Sequence, residues 1–163
     1  IGRADIQYAV CSLSRFLAAP RVKQLKYVIK VYSYLKEFPE KWITVDHHNL
    51  PLFADPAEPD PAMKDLYPDD IEELDKNFPE GLGKPLQTAV FFDSDHGHDQ
   101  LTKRSCTGLV VYVGRTLVMW SSKRQTSIQS SRYGAKFMAG RNACEEAILI
   151  RYMMRCLGCH PKS

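Results

Sequence analysis

Leu109-Val110-Val111-Tyr112-Val113-Gly114-Arg115-Thr116-Leu117-Val118-Met119-Trp120 is the stretch on which the fold turns. Two β-branched and aromatic runs flank Gly114-Arg115. A glycine in so short a connection marks a tight hairpin, because glycine enters positive φ without strain. Upstream, residues 89–93 form another β-rich run, which ends in the carboxylate of Asp93. Downstream the period changes: Ala135, Met138, Ala139, Ala143, Ala147, Ile150 and Met154 recur at helical spacing over 132–157, and Gly158 supplies a stop. The order strand, strand, strand, long helix predicts an α/β-type unit, α+β within this segment, with three antiparallel strands and one long helix.

Working outward, the N-terminal third predicts two helices. Asp5 can cap the first, which runs to about residue 18 with Ile6, Ala9, Val10, Leu13, Phe16 and Leu17 at helical spacing, and Pro20 blocks its continuation. The second covers 21–36, with Leu25, Val28, Ile29, Tyr32 and Leu35 on one face and Arg21, Lys23, Lys30 and Lys36 opposite. Trp42, Ile43 and Val45 suit a short strand. The organisation expected is a helical segment over 1–45, an acidic Pro-rich linker over 46–85 and a partial domain over 86–163.

The 163 residues are 44% hydrophobic and 25% charged, a globular profile with no apolar run near the roughly 18 residues of a membrane span. The first residues lack a signal peptide's basic start, and both ends read as cut. The five cysteines are odd in number and irregularly spaced, which fits free thiols in a reducing intracellular compartment, cytoplasm or nucleus. The net charge of +3 is segregated. Residues 1–45 carry eight Lys/Arg against three acids, 55–80 carry ten acids against two lysines, and 103–163 carry eleven Lys/Arg against two acids. Two basic blocks around an acidic one predict a polyanion partner for the basic parts.

Six short blocks are similar to one family. Phe91-Phe92-Asp93-Ser94-Asp95-His96 resembles the D-A-D-W block that opens the ribonuclease H domain of copia-type retrotransposon polyproteins. Arg104-Ser105-Cys106-Thr107-Gly108 resembles that family's R-S-T-S-G, and Trp120-Ser121-Ser122-Lys123-Arg124-Gln125 its W-S-S-K-K-Q. Ser130-Ser131 leads into a helix where the family has S-S-T-E-A-E-Y. Upstream, Arg3-Ala4-Asp5-Ile6-Gln7-Tyr8-Ala9-Val10 is similar to R-P-D-I-A-Y-A-V, and Tyr32-Ser33-Tyr34-Leu35-Lys36 stands where the family has R-Y-L-K. The resemblance covers about residues 1–45 and 86–158. It implies a truncated ribonuclease H-like fold preceded by two connection helices from the end of a reverse transcriptase.

The implied activity is cleavage of the RNA strand of an RNA–DNA hybrid, in which two Mg²⁺ ions held by convergent carboxylates clamp the attacking water and the leaving oxygen. Asp93 matches the first carboxylate. The helix departs from the pattern: Lys136 stands where the family places its metal-binding Glu, and Gly134 replaces the other Glu. An ammonium repels a dication and offers no lone pair. The later strands, with the remaining carboxylates, are absent. The expectation is therefore an incomplete Mg²⁺ site on Asp93, no bound metal and no catalysis by this chain alone. Nucleic-acid contact would fall to Arg104, Ser105, Thr107, Lys123, Arg124 and Gln125, with Arg132, Lys136 and Arg141 nearby. The alternative is a non-catalytic remnant that binds nucleic acid or protein.

Two other chemistries have partial patterns in the sequence. Cys156-Leu157-Gly158-Cys159-His160 fits the C-x-x-C-H haem pattern, but its first cysteine lies on a continuous helix. The same residues with His47 or His48 could assemble zinc ligands, although only one C-x-x-C is present.

Overall fold

The computed structural model describes residues 3–48, 50, 76–99 and 101–161. Its centre is a three-stranded antiparallel sheet of β2 (Thr88–Asp95), β3 (Cys106–Val113) and β4 (Thr116–Arg124), in the order β2-β3-β4. The register aligns Asp93 with Gly108 and Gly108 with Ser122, and it shifts between Val111 and Tyr112. Gly114 turns the β3–β4 hairpin at φ +58°, as its place at the first position of the turn requires. Among the described residues β2 pairs only with β3, so its other edge is free.

Helix α3 (Arg132–Cys156) lies across this sheet. Ser131 caps it, with Oγ accepting from the Gly134 amide at 3.0 Å. Its buried face is Ala135, Ala139 and Ala143, at a spacing of one turn, then Met154. Small side chains let helix and sheet approach closely. Leu109, Val111 and Ala143 form the buried cluster, with Val90, Met119 and Ile150 packed around it. The Phe92 ring stands 3.3 Å from where a Cβ on Gly140 would be.

Two short strands add to the expected architecture. β1 (Leu82–Leu86) pairs in parallel with β5 (Cys159–Pro161). Gly158, at φ +69°, turns the chain at the end of α3, and its carbonyl accepts from the Leu82 amide at 2.7 Å. The chain therefore continues past the helix into a strand, and residues 82–85 belong to the folded unit rather than to the linker. The other end of the linker range is anchored too. Asp46 exchanges hydrogen bonds with Thr116, and the His48 carbonyl lies 2.9 Å from the Cβ position of Gly114. The acidic segment 51–75 lies outside the described residues. Residues 42–45, expected as a strand, are in no ladder.

The N-terminal third holds a 3₁₀ turn (Ala4–Ile6), α1 (Gln7–Ser14) and α2 (Val22–Glu37). Asp5 is not a cap. Its carboxylate accepts from Arg3 at 2.9 and 2.8 Å and from the Tyr34 hydroxyl at 2.9 Å, which ties the turn to α2. Those hydrogen bonds, Arg3 first, hold the Asp5 carboxyl far below the usual carboxylate range. The face of α2 turned toward α1 carries Gln24, Tyr27, Val31 and Tyr34, lining an open cavity of about 850 Å³. Of the apolar face read from the sequence, Leu25, Ile29 and Tyr32 are exposed, whereas Val28 and Leu35 are half-buried. At the far end of α3, Tyr152 and Met153 are exposed, whereas Met154 is buried and its Sδ accepts from Thr88 Oγ1.

Candidate functional site at the Asp93–Lys136 pair

Asp93 stands near the end of β2 because the strand runs two residues past it, to Asp95, before turning at Gly97. Lys136 stands one turn into α3. The packing of α3 on β2 brings them together: Lys136 Nζ lies 3.6 Å from Asp93 Oδ1. Both side chains are open to solvent, 66% and 79% exposed respectively. The two positions that the resemblance pairs as metal ligands are thus neighbours in space, one a carboxylate and the other an ammonium. A Mg²⁺ ion does not fit them. It needs converging oxygen donors, and a cation already occupies the Asp93 side. Among the described residues Asp93 belongs to no cluster of three ligating side chains.

The other residues expected to touch nucleic acid divide by burial. Lys123 is exposed at the end of β4. Arg124 is engaged: its Nη1 donates to Asp99 Oδ2 at 2.7 Å. Arg104 is half-buried, with Nε enclosed and without a hydrogen-bond partner among the described residues. Ser105, Thr107 and Gln125 are corrections to the expectation, because all three are buried. Ser105 Oγ accepts from the Gly97 amide at 3.2 Å. Gln125 Nε2 donates to Thr107 Oγ1 at 3.0 Å and to the Ala135 carbonyl at 2.9 Å. These residues tie β3, β4 and α3 together beneath the surface and present nothing to a phosphate. Arg132 and Arg141 are exposed on α3, the latter donating to Glu145 at 3.0 Å.

The loop between β2 and β3 is organised by Asp99, which the family resemblance does not single out. Its Oδ1 accepts from the amides of Leu101 and Thr102, and its Oδ2 from the Thr102 hydroxyl at 2.7 Å as well as from Arg124. The Thr102 hydroxyl first, then the Arg124 guanidinium, hold this carboxyl far below its ordinary value. An Asp followed by Thr at the third position is a common turn signal, and that pattern was the available clue. On the same loop, His98 Nδ1 pairs with Asp95 at 2.6 Å and its ring meets Tyr8 edge-on, docking α1 against the sheet.

A second cluster joins Asp46 to the two histidines that the sequence offers as alternative zinc ligands. Asp46, His47 and His48 each offer one ligand atom within 4.8 Å of the others. Cys156 ends α3 and Cys159 opens β5, and neither joins a group of three ligating side chains among the described residues. The side chain of His160, named with them, lies outside the described residues. Among the described residues no helix is long and apolar enough to cross a membrane.

Comparisons with known protein families, with curated proteins and with solved structures return no match.

Proposed function

We propose that this chain is a segment of a copia-type retrotransposon polyprotein, joining the end of a reverse transcriptase to the first part of a ribonuclease H-like domain, and that it is catalytically silent. The observation that carries the reading is the contact between Asp93 and Lys136. The resemblance rests on separate sequence blocks and makes no reference to space, yet the two positions it designates as metal ligands meet across the β2–α3 joint. The antiparallel meander followed by a helix packed on its first strand also supports the reading. The lysine accounts for the silence, because a dication would have to displace it and would then find one carboxylate among the described residues.

Contact with a polyanion is the part of the ancestral role that these residues can retain. Lys123 on β4 and Arg132 and Lys136 on α3 are exposed cations, the last paired with Asp93. Two phosphate contacts, from Lys123 and Arg132, give a salt slope near −1.8 on a log–log plot, a loss of about 12-fold in affinity between 50 and 200 mM salt.

The test incubates the purified full chain with Mg²⁺ and an end-labelled RNA–DNA hybrid, and measures cleavage and binding. No cleavage is expected, with weak binding that falls steeply with salt. Hybrid cleavage abolished by Asp93→Asn would overturn the silence. Binding that stays level with salt would remove the polyanion role.

A further inference from the structure

The segment before the acidic stretch carries a feature that the proposed function does not use. We infer that Asp46, His47 and His48 form a surface site for a divalent transition-metal ion of the zinc class, with two imidazoles and one carboxylate as ligands and an open position for water.

Three observations support this. The first is convergence: one ligand atom from each residue lies within 4.8 Å of the others, and the two imidazole centroids are 4.5 Å apart at an interplanar angle of 30°. Zinc–nitrogen and zinc–oxygen distances of about 2.0–2.2 Å place tetrahedral ligand atoms roughly 3.3–3.5 Å from one another, and the two exposed histidine side chains have solvent space in which to turn toward that geometry. The second is anchoring. The Asp46 amide donates to Thr116 Oγ1 at 2.8 Å, and its carbonyl accepts from Thr116 Oγ1 and the Arg115 amide, both at 3.1 Å. The backbone of Asp46 and His48 presses on Gly114, where a Cβ would stand 3.0 and 2.9 Å from their carbonyl oxygens. A ligand fixed to a β-hairpin loses little conformational entropy on binding. The third is the donor chemistry. His48 Nδ1 and Asp46 Oδ1 are 2.5 Å apart, bridged by a hydrogen bond. A divalent ion takes the place of the bridging proton, which leaves to solvent. Two imidazoles favour zinc, copper or nickel over magnesium, so this site is chemically separate from any ancestral Mg²⁺ centre at Asp93.

Arg115 is the competing cation, with Nη1 3.6 Å from Asp46 Oδ2. Its side chain is 46% exposed, so it can turn to solvent when the ion enters.

The experiment titrates Zn²⁺ into the purified full chain by calorimetry, in parallel with His47→Ala, His48→Ala and a Cys156→Ser/Cys159→Ser variant, with circular dichroism to verify that each is folded. One equivalent is expected in the parent and in the cysteine variant. Each histidine variant should bind about 10-fold more weakly or worse, the scale on which altered metal-site groups act. Absence of a stoichiometric equivalent in the parent overturns the site. So does uptake that survives both histidine substitutions, or uptake lost only with the cysteines.

Discussion

Replacing Lys136 with glutamate puts a carboxylate opposite Asp93 and tests whether the β2–α3 joint is a metal site whose second ligand became a lysine. Both side chains are more than half exposed, so the effective dielectric is close to that of water. Loss of the present ion pair then costs about 0–1 kcal/mol. Two carboxylates about 4 Å apart repel by about 1 kcal/mol at that dielectric. The variant should be about 1–2 kcal/mol less stable in EDTA, a fall of about 2–8 °C in thermal midpoint for a chain of this length. Added Mg²⁺ should recover much of it. At about 10 mM ion and a dissociation constant of about 1 mM, typical of weak oxygen-ligand sites, the gain is about 1.4 kcal/mol. The parent should gain nothing from Mg²⁺. The assay is differential scanning fluorimetry of both proteins with EDTA and with graded Mg²⁺. A variant indifferent to Mg²⁺ would refute the claim that these positions face each other as ligands. A parent stabilised by Mg²⁺ would refute the claim that Lys136 excludes the ion.

Two further predictions concern the surroundings of the pair. Gln125→Leu leaves the Ala135 carbonyl and Thr107 hydroxyl without their buried donor; it should lower stability by about 1–3 kcal/mol, read as an earlier urea midpoint at unchanged slope. Asp99 has a depressed folded-state pKa, so its contribution is complete above the unfolded carboxylate value of about 4 and is lost as pH falls through the folded value. Calorimetry from pH 7 to pH 2 should show the parent losing stability below about pH 4 more steeply than Asp99→Asn, and parallel profiles would contradict the role of Thr102 and Arg124 in holding that charge.

The central sheet and α3 were legible because their signals are local. β-branched and aromatic runs around a glycine turn mark 109–120, and alanines at one-turn spacing mark the buried face of α3. The β1–β5 pair was not legible. Leu82-Gly83-Lys84-Pro85-Leu86 contains two strand-weakening residues, β5 has three residues, and parallel pairing joins segments far apart in sequence. The packing of α2 has a similar cause: Val31 and Tyr34 are half-buried toward α1, and only that contact sets them apart from the exposed Leu25, Ile29 and Tyr32. At the candidate site the resemblance anticipated which two residues would meet. It gave no warning that Ser105, Thr107 and Gln125 would be buried, because small polar residues in a motif read as surface donors unless their partners are known. The partner of Gln125 is a backbone carbonyl on α3, which no side-chain pattern reveals. The tandem His47-His48 was visible, but not the fixing of Asp46 by Thr116, seventy positions later.

On the proposed reading, one substitution has opposite effects on catalysis and on binding. Two carboxylates at Asp93 and position 136 require a dication, because without one they repel each other and also any approaching phosphate. The lysine neutralises Asp93 with no cofactor, so the helix–sheet joint is electrostatically complete from this chain's own residues. The same ammonium removes the second ligand and, with it, the means of holding a reactive water. The local charge, however, becomes more positive: Asp93 and Lys136 sum to zero, and Lys123 and Arg132 remain exposed on the neighbouring elements. A face that has lost its chemistry in this way should hold a nucleic acid better in metal-free buffer than its glutamate variant does, which ties the binding measurement to the same residue as the Mg²⁺ response.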